Sequence, residues 1–271
     1  MRFPRIALLT LGLVAAIGCD DDPTSASRPP LGGVRFINAL NDTTPIDINF
    51  TDQIEWTPMM GRNLAFRAGT AYEPTEAKER RVKVFAFLSS NPSLPNVTQL
   101  LLETTINVPA NQNTTFLVTG SARNKTVELI PITDDPGQVP AGQILVRSVN
   151  ASTGAVDVYY TATDATPISG APSVDNLAPR GTSPYVGRAA GAVAARVTPS
   201  DAVTVSASRA GPAAPSGPAT GATAAAGIDS PGSAFSVYYF PAGVAGSPQN
   251  GVTTPGVVWF VDAQPRPGSA Q

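Results

Sequence analysis

Two stretches of this chain repeat one another. Val34-Arg35-Phe36-Ile37-Asn38-Ala39 returns as Val146-Arg147-Ser148-Val149-Asn150-Ala151, 112 residues later. Ile46-Asp47-Ile48 returns as Val156-Asp157-Val158 at an offset of 110, so the intervening loop is two residues shorter in the second copy. Asn63-Leu64-Ala65-Phe66-Arg67 with Tyr72 returns as Asn176-Leu177-Ala178-Pro179-Arg180 with Tyr185, at an offset of 113. Three blocks in the same order at nearly one spacing mark a tandem duplication, which limits the fold to a unit of little over a hundred residues used twice.

The local pattern predicts what that unit is. Arg81 to Leu88 alternates, with Val82, Val84, Ala86 and Leu88 on one face and Lys83, Phe85 and Phe87 on the other. Thr115 to Thr119 and Val127 to Ile132 continue the pattern in the first copy, as do Ala155 to Tyr160, Ala202 to Ser206, Phe235 to Phe240 and Val257 to Val261 in the second. Short β-branched and aromatic runs bounded by Gly, Pro, Asn and Asp are strand signals. No part of the chain beyond the N-terminal segment keeps an apolar helical period for three turns free of Pro and Gly. The expected fold is all-β: two tandem immunoglobulin-like antiparallel β-sandwich domains, each of about 100 residues. Boundaries fall at 33–137 for the first repeat and 138–271 for the second. The stretch 209–227, almost entirely Ala, Gly, Pro, Ser and Thr, reads as a low-complexity, flexible loop inside the second.

The N-terminus is read differently. Arg2 and Arg5 precede an uncharged run from Ile6 to Ile17, 12 residues long, too short for the roughly 20 residues that a permanent transmembrane helix needs. Residues 1–18 are therefore expected to be a cleaved signal peptide. Ala16-Ile17-Gly18-Cys19 resembles the lipobox of bacterial lipoproteins, although Ala16 stands where Leu is most common. That resemblance implies lipidation at Cys19: a diacylglycerol thioether and an acylated amine carrying chains such as palmitate. At about 0.8 kcal/mol per buried methylene, two or three chains hold a protein on a membrane, whereas one does not. Residues 19–32 then form a tether, and localisation is expected at the cell envelope. Asp20 resembles an inner-membrane retention signal in some lineages, and the choice of membrane stays open.

Composition removes whole classes of chemistry. The chain has no histidine and one cysteine, which the lipid would consume. Ser-His-Asp and Cys-His catalysis, His- or Cys-based zinc sites, haem and iron–sulfur ligation and disulfides are all excluded. No catalytic residue, metal site or cofactor is expected. With 18 basic and 20 acidic residues and no basic run beyond Arg80-Arg81, the electrostatic footprint of a nucleic-acid partner is missing.

The repeated blocks, a strand ending in Arg-x-hydrophobic-Asn-Ala, then hydrophobic-Asp-hydrophobic, then Asn-Leu-Ala leading to a Tyr, resemble the opening of the bacterial domain of unknown function numbered 4397. The resemblance covers residues 33–135 and 141–263, and Leu101 to Gly120 resembles the family's later strand pair. Asn38 and Asn150 stand where many members carry His. The resemblance implies an exported or surface setting and tandem copies, with no activity to carry over.

Three residues are candidate ligand contacts. Asp47 and Asp157 each lie between two apolar residues on a strand, where an aspartate either meets a ligand or accepts backbone N–H bonds from a nearby loop, the commoner role. Trp56, in a loop-like setting, is placed to stack on a sugar ring, whereas Trp259 reads as core. The three carboxylates between Glu73 and Arg81 sit in one mixed-sign hairpin loop with no visible counterpart in the second copy. The expected function is a non-enzymatic envelope lipoprotein that binds or spaces a surface glycan, polymer or protein partner, with the membrane engaged through the lipid. The alternatives are a carbohydrate-active hydrolase using Asp/Glu carboxylates and a purely structural envelope protein.

Overall fold

The computed structural model describes residues 29–52, 59–87, 98–215 and 225–265. Its first eight strands are β1 (Leu31–Asn38), β2 (Ile46–Phe50), β3 (Met59–Leu64), β4 (Glu73–Glu76), β5 (Glu79–Phe87), β6 (Thr98–Asn107), β7 (Asn113–Thr119) and β8 (Glu128–Thr133). The next eight are β9 (Gln143–Asn150), β10 (Val156–Thr161), β11 (Val174–Leu177), β12 (Val186–Ala189), β13 (Ala194–Pro199), β14 (Ala207–Ala210), β15 (Ala234–Phe240) and β16 (Gly256–Ala263). The first set makes sheets ordered β4-β1-β7-β8 and β3-β2-β5-β6; the second makes β12-β9-β15-β16 and β11-β10-β13-β14. Adding eight to each strand number converts one module into the other, so the duplication visible in the sequence is also a duplication of topology.

The sheet order corrects the immunoglobulin-like, antiparallel expectation. In an immunoglobulin domain the first two strands share a sheet. Here β1 crosses to the opposite sheet at β2, so the neighbour it finds in its own sheet is β7, which enters from the same pole. β1 and β7 therefore pair in parallel, with Arg35 opposite Thr115 and Ile37 opposite Leu117. β9 and β15 do likewise, with Arg147 opposite Ser236 and Val149 opposite Tyr238. Each sandwich is mixed.

Two local expectations also change. Ala202 to Ser206 is not a strand: Pro199 ends β13, Asp201 takes φ 61° in the turn that follows, and pairing resumes only at β14. The stretch from Glu73 to Arg81 is not a hairpin loop but β4, a short turn and the start of β5, which link the two sheets; its second-module counterpart is β12 leading to β13. The low-complexity stretch begins inside β14, and residues 216–224 of it lie outside the described residues.

Each module closes its own core. β5 alternates as its sequence requires, burying Val82, Val84 and Ala86 against Phe36, Ile48 and Phe116; Val146, Val158, Val197 and Phe235 take corresponding roles in the second module. Trp259, at the edge of that core, is only half-buried and donates through its indole N–H to the Arg209 carbonyl at 3.2 Å.

The central strands do not alternate. β7, β9 and β15 are buried on nearly every residue because the sheets containing β1 and β9 pack on each other through their outer faces. Ile37, Leu117 and Ile132 of the first module meet Val149, Tyr238 and Phe240 of the second in a third core. Phe66 and Phe240 make an edge contact across this junction at 6.1 Å, and a Cβ on Gly69 would lie 2.7 Å from the Phe260 ring. The result is four stacked layers. At one pole the chain after β15 reaches back over the first module: Asn41 Nδ2 donates to the Ala242 carbonyl at 2.7 Å, Val244 N–H to the Asn41 carbonyl at 2.9 Å, and Arg67 to the Pro241 and Thr254 carbonyls at 2.6 Å. The opposite pole has no such strap among the described residues.

Candidate binding cleft and the buried cluster behind it

The repeated aspartates hold backbone. Asp47 Oδ1 accepts the Asn63 N–H at 2.6 Å, and Asp157 Oδ1 accepts the Asn176 N–H at 2.7 Å. Both asparagines are left-handed, at φ 49° and 48°, where the neighbouring strand skips register. Asp157 also accepts the Asp201 N–H at 3.2 Å. An Asn tolerates this conformation better than most residues, and the aspartate satisfies the amide that the irregular pairing orphans. β2 and β10 lie in the two outermost sheets, so Asp47 and Asp157 do not share a site. Trp56 and Cys19 lie outside the described residues.

Asn38 and Asn150 are also structural. Asn38, fully buried, donates from Nδ2 to the Leu64 carbonyl and accepts the Leu40 N–H, both at 2.9 Å; Asn150 does the same with Leu177 and Ser152 at the same distances. Each staples the end of the first strand of its module to the end of the third.

The repeated Arg and Tyr form the cluster that the sequence reading did not anticipate. Arg35 Nη2 donates to Asp262 Oδ1 at 2.7 Å and its Nη1 to the Val261 carbonyl at 2.9 Å. Arg147 pairs with Asp134, and its Nη1 donates to the Thr133 carbonyl at 2.7 Å. Each arginine therefore crosses to the other module, takes a carboxylate there, and takes the carbonyl just before it. Thr115 and Ser236 complete the exchange: each accepts from the arginine of its own module and donates to the aspartate that follows in its own module. Tyr72 donates to Asp134 at 2.6 Å and Tyr185 to Asp262 at 2.8 Å, and their rings lie 4.3 and 4.5 Å from the Arg35 and Arg147 guanidinium carbons. The symmetry fails at Tyr238, which stands where the first module has Leu117 and whose buried hydroxyl has no partner among the described residues.

Two arginines and two aspartates leave the cluster neutral. Burial raises the Asp134 carboxyl above the ordinary carboxylate range, the Asp262 charge adds to this, and Arg35 and Arg147 oppose it. Burial works against the charge on Arg35, but Asp262, Tyr72, Tyr238 and Asp134 together outweigh it and hold the guanidinium protonated. Both aspartate side chains are wholly shielded from solvent. Asp134 and Asp262 therefore present no oxygen to a substrate.

Outside this cluster, at the unstrapped pole, a cleft of about 630 Å³ opens between the modules. Its walls come from the β6–β7 turn (Asn111, Gln112, Asn113), the link to the second module (Asp135 to Val139) and the end of β16 (Gln264). A cavity of about 320 Å³ adjoins it, sharing Asn111 to Asn113 and adding Leu31, Tyr72 and Pro74. The turn sits this close to β1 because β1 carries Gly32 and Gly33 there: a Cβ would fall 2.2 Å from the Pro109 carbonyl oxygen or 2.1 Å from Asn113 Oδ1. No group of three or more Asp or Glu able to hold a metal ion occurs among the described residues.

No curated protein matches this chain. A solved leucine-rich repeat protein from Bacteroides thetaiotaomicron VPI-5482 is similar over 66% of this chain and 24% of its own, at 10% identity and a TM-score of 0.20. The chain thus spans about a quarter of that protein, and at that score the likeness carries no argument. The model of the domain of unknown function DUF4397 matches residues 32–159, from the second residue of β1 through the whole first sandwich and into β10. Residues 32–159 are thus similar to that domain, and β9 to β16 repeat the strand order of β1 to β8.

Proposed function

We propose that this protein is a non-enzymatic lipoprotein of the bacterial cell envelope, anchored through Cys19, whose paired sandwiches act as one rigid binding module for a surface polymer. The observation that carries the reading is the contrast at the module junction. Asp134 and Asp262, the two carboxylates at the back of the junction, are sealed in reciprocal ion pairs, while ligand-sized space lies open beside them, lined mostly by amide and small side chains with Asp135 as an exposed carboxylate. Clefts of 300–1,000 Å³ between modules are common ligand sites.

Rigidity supports the same reading. Two sandwiches joined only by residues 134–142 would by default move against each other, but a shared apolar core and a neutral ion cluster fix this pair. A fixed pair keeps both walls of the cleft in register. The tether from Cys19 to Leu31 spans up to about 40 Å if extended, and it enters β1 at the pole where the cleft opens.

Two measurements test this. Mass spectrometry of the protein extracted from its native membrane is expected to find an acylated N-terminal Cys19; a full-length chain with a free thiol there refutes the anchor. Co-sedimentation of the purified protein with isolated envelope polysaccharide is expected to retain it, and failure to bind any envelope fraction refutes the binding role.

A further inference from the structure

We infer that the cleft and its adjoining cavity form one continuous site for a neutral glycan strand, an inference that rests on the binding role proposed above. The chemistry of the walls points to such a ligand. Asn111, Gln112, Asn113, Gln138 and Gln264 bring planar amides, each able to donate and accept. Among the described residues no Lys or Arg lines either cavity, so the described walls offer no cation to select for phosphate, sulfate or uronate groups.

Cations are equally poorly served. Of the three aspartates that line the cleft among the described residues, the Asp134 and Asp262 side chains are buried and already saturated, leaving Asp135 exposed. An apolar ligand would need mainly hydrophobic walls, and the large cleft does not have them. An extended peptide is usually held by a free strand edge, whereas these walls are turns and strand ends.

What remains is a ligand that is uncharged, rich in hydroxyls, and apolar on its flat faces. The smaller cavity supplies a matching surface: Tyr72, Pro74 and the half-exposed Leu31 flank it, and Asn111 to Asn113 are common to both spaces. One turn therefore touches both parts. A sugar ring whose carbon face lies on Tyr72 and Pro74 would have neighbouring units reaching the amides of Gln112 and Gln138. Tyr72 is held for this by Arg35 on one ring face and by its hydroxyl bond to Asp134, so the buried cluster sets the wall of the site without touching the ligand.

The test uses full-length protein and a panel of neutral hexasaccharides (maltohexaose, cellohexaose, laminarihexaose and chitohexaose) with hexagalacturonate as the anionic comparison, read by saturation-transfer NMR and calorimetry. Gln112→Ala and Gln138→Ala are combined, because neither residue has a left-handed backbone and neither is buried, and circular dichroism checks the fold. At least one neutral hexamer is expected to bind, with affinity reduced tenfold or more in the double variant and hexagalacturonate weaker throughout. Neutral binding that survives the double substitution, preferential binding of hexagalacturonate, or no binding of any hexamer overturns the cleft assignment. If the protein still sediments with envelope polysaccharide in those cases, the binding role stands and only its location fails; if it does not, both fail.

Discussion

Arg35 Nη2 and Asp262 Oδ1 lie 2.7 Å apart on opposite sides of the module junction, with both side chains out of solvent. The pair is separated by 227 residues in sequence, and the related Arg147–Asp134 pair runs the other way. Each arginine makes its shortest ion pair with the carboxylate of the other module, and Arg35 also lies 3.6 Å from Asp134 of its own. The ion pairs thus specify which two faces meet and in which orientation, a role that buried charges serve better than raw stability.

Removing one member should be costly. Asp262→Ala leaves Arg35 buried without its main counter-charge and strips Tyr185 and Ser236 of an acceptor. A loss of about 3–5 kcal/mol in unfolding free energy is expected from urea titration. In a double-mutant cycle, Arg35→Met with Asp262→Ala should cost at least about 1 kcal/mol less than the sum of the single changes; additivity within about 0.5 kcal/mol would deny the coupling.

The first module should not behave as an independent domain. A fragment spanning residues 20–140 exposes Ile37, Leu117 and Ile132, which the second module covers, and leaves Arg35 without Asp262. Size-exclusion chromatography is expected to show self-association, and hydrogen exchange should show weakened protection in β1 and β7. A monomeric, fully protected fragment would contradict the shared core.

The two repeated aspartates should differ in weight. Asp157, buried and accepting two backbone amides, is expected to cost about 1–3 kcal/mol on replacement by Ala. Asp47→Ala, which removes one bond in a more exposed setting, should cost less. Neither change should alter glycan binding, and an Asp157→Ala variant of native stability with lost binding would restore the ligand-contact reading.

Alkali should unfold the protein with its tyrosines. Burial is the largest cause raising the phenols of Tyr72, Tyr160, Tyr185 and Tyr238 above their ordinary range. A folded-state pKa above the unfolded one means that the folded chain holds more protons above pH of about 10, so stability falls as pH rises past that point. Phenolate absorbance from these four of the six tyrosines should appear together with loss of circular dichroism. Their ionisation while the fold persists would show the junction to be open to solvent.

The sequence by itself determined the repeat, the β class and the faces of strands such as β5, because an alternating pattern and a fixed offset are local properties that need no partner. It also marked Arg35, Tyr72 and their repeats, yet it read Asp47 and Asp157 as the candidates for contact. The tertiary structure decided the roles. The Arg35–Asp262 bond has no local signature, and the mixed sheets follow from a crossing between layers that strand patterning cannot register. Most of all, β7, β9 and β15 are covered on both sides, since an outward-facing Leu117 or Val149 is a surface residue in one sandwich and a core residue only when a second one docks against it. Which exposed apolar face finds a partner is a question of shape and charge across the whole molecule, and no window of sequence contains it.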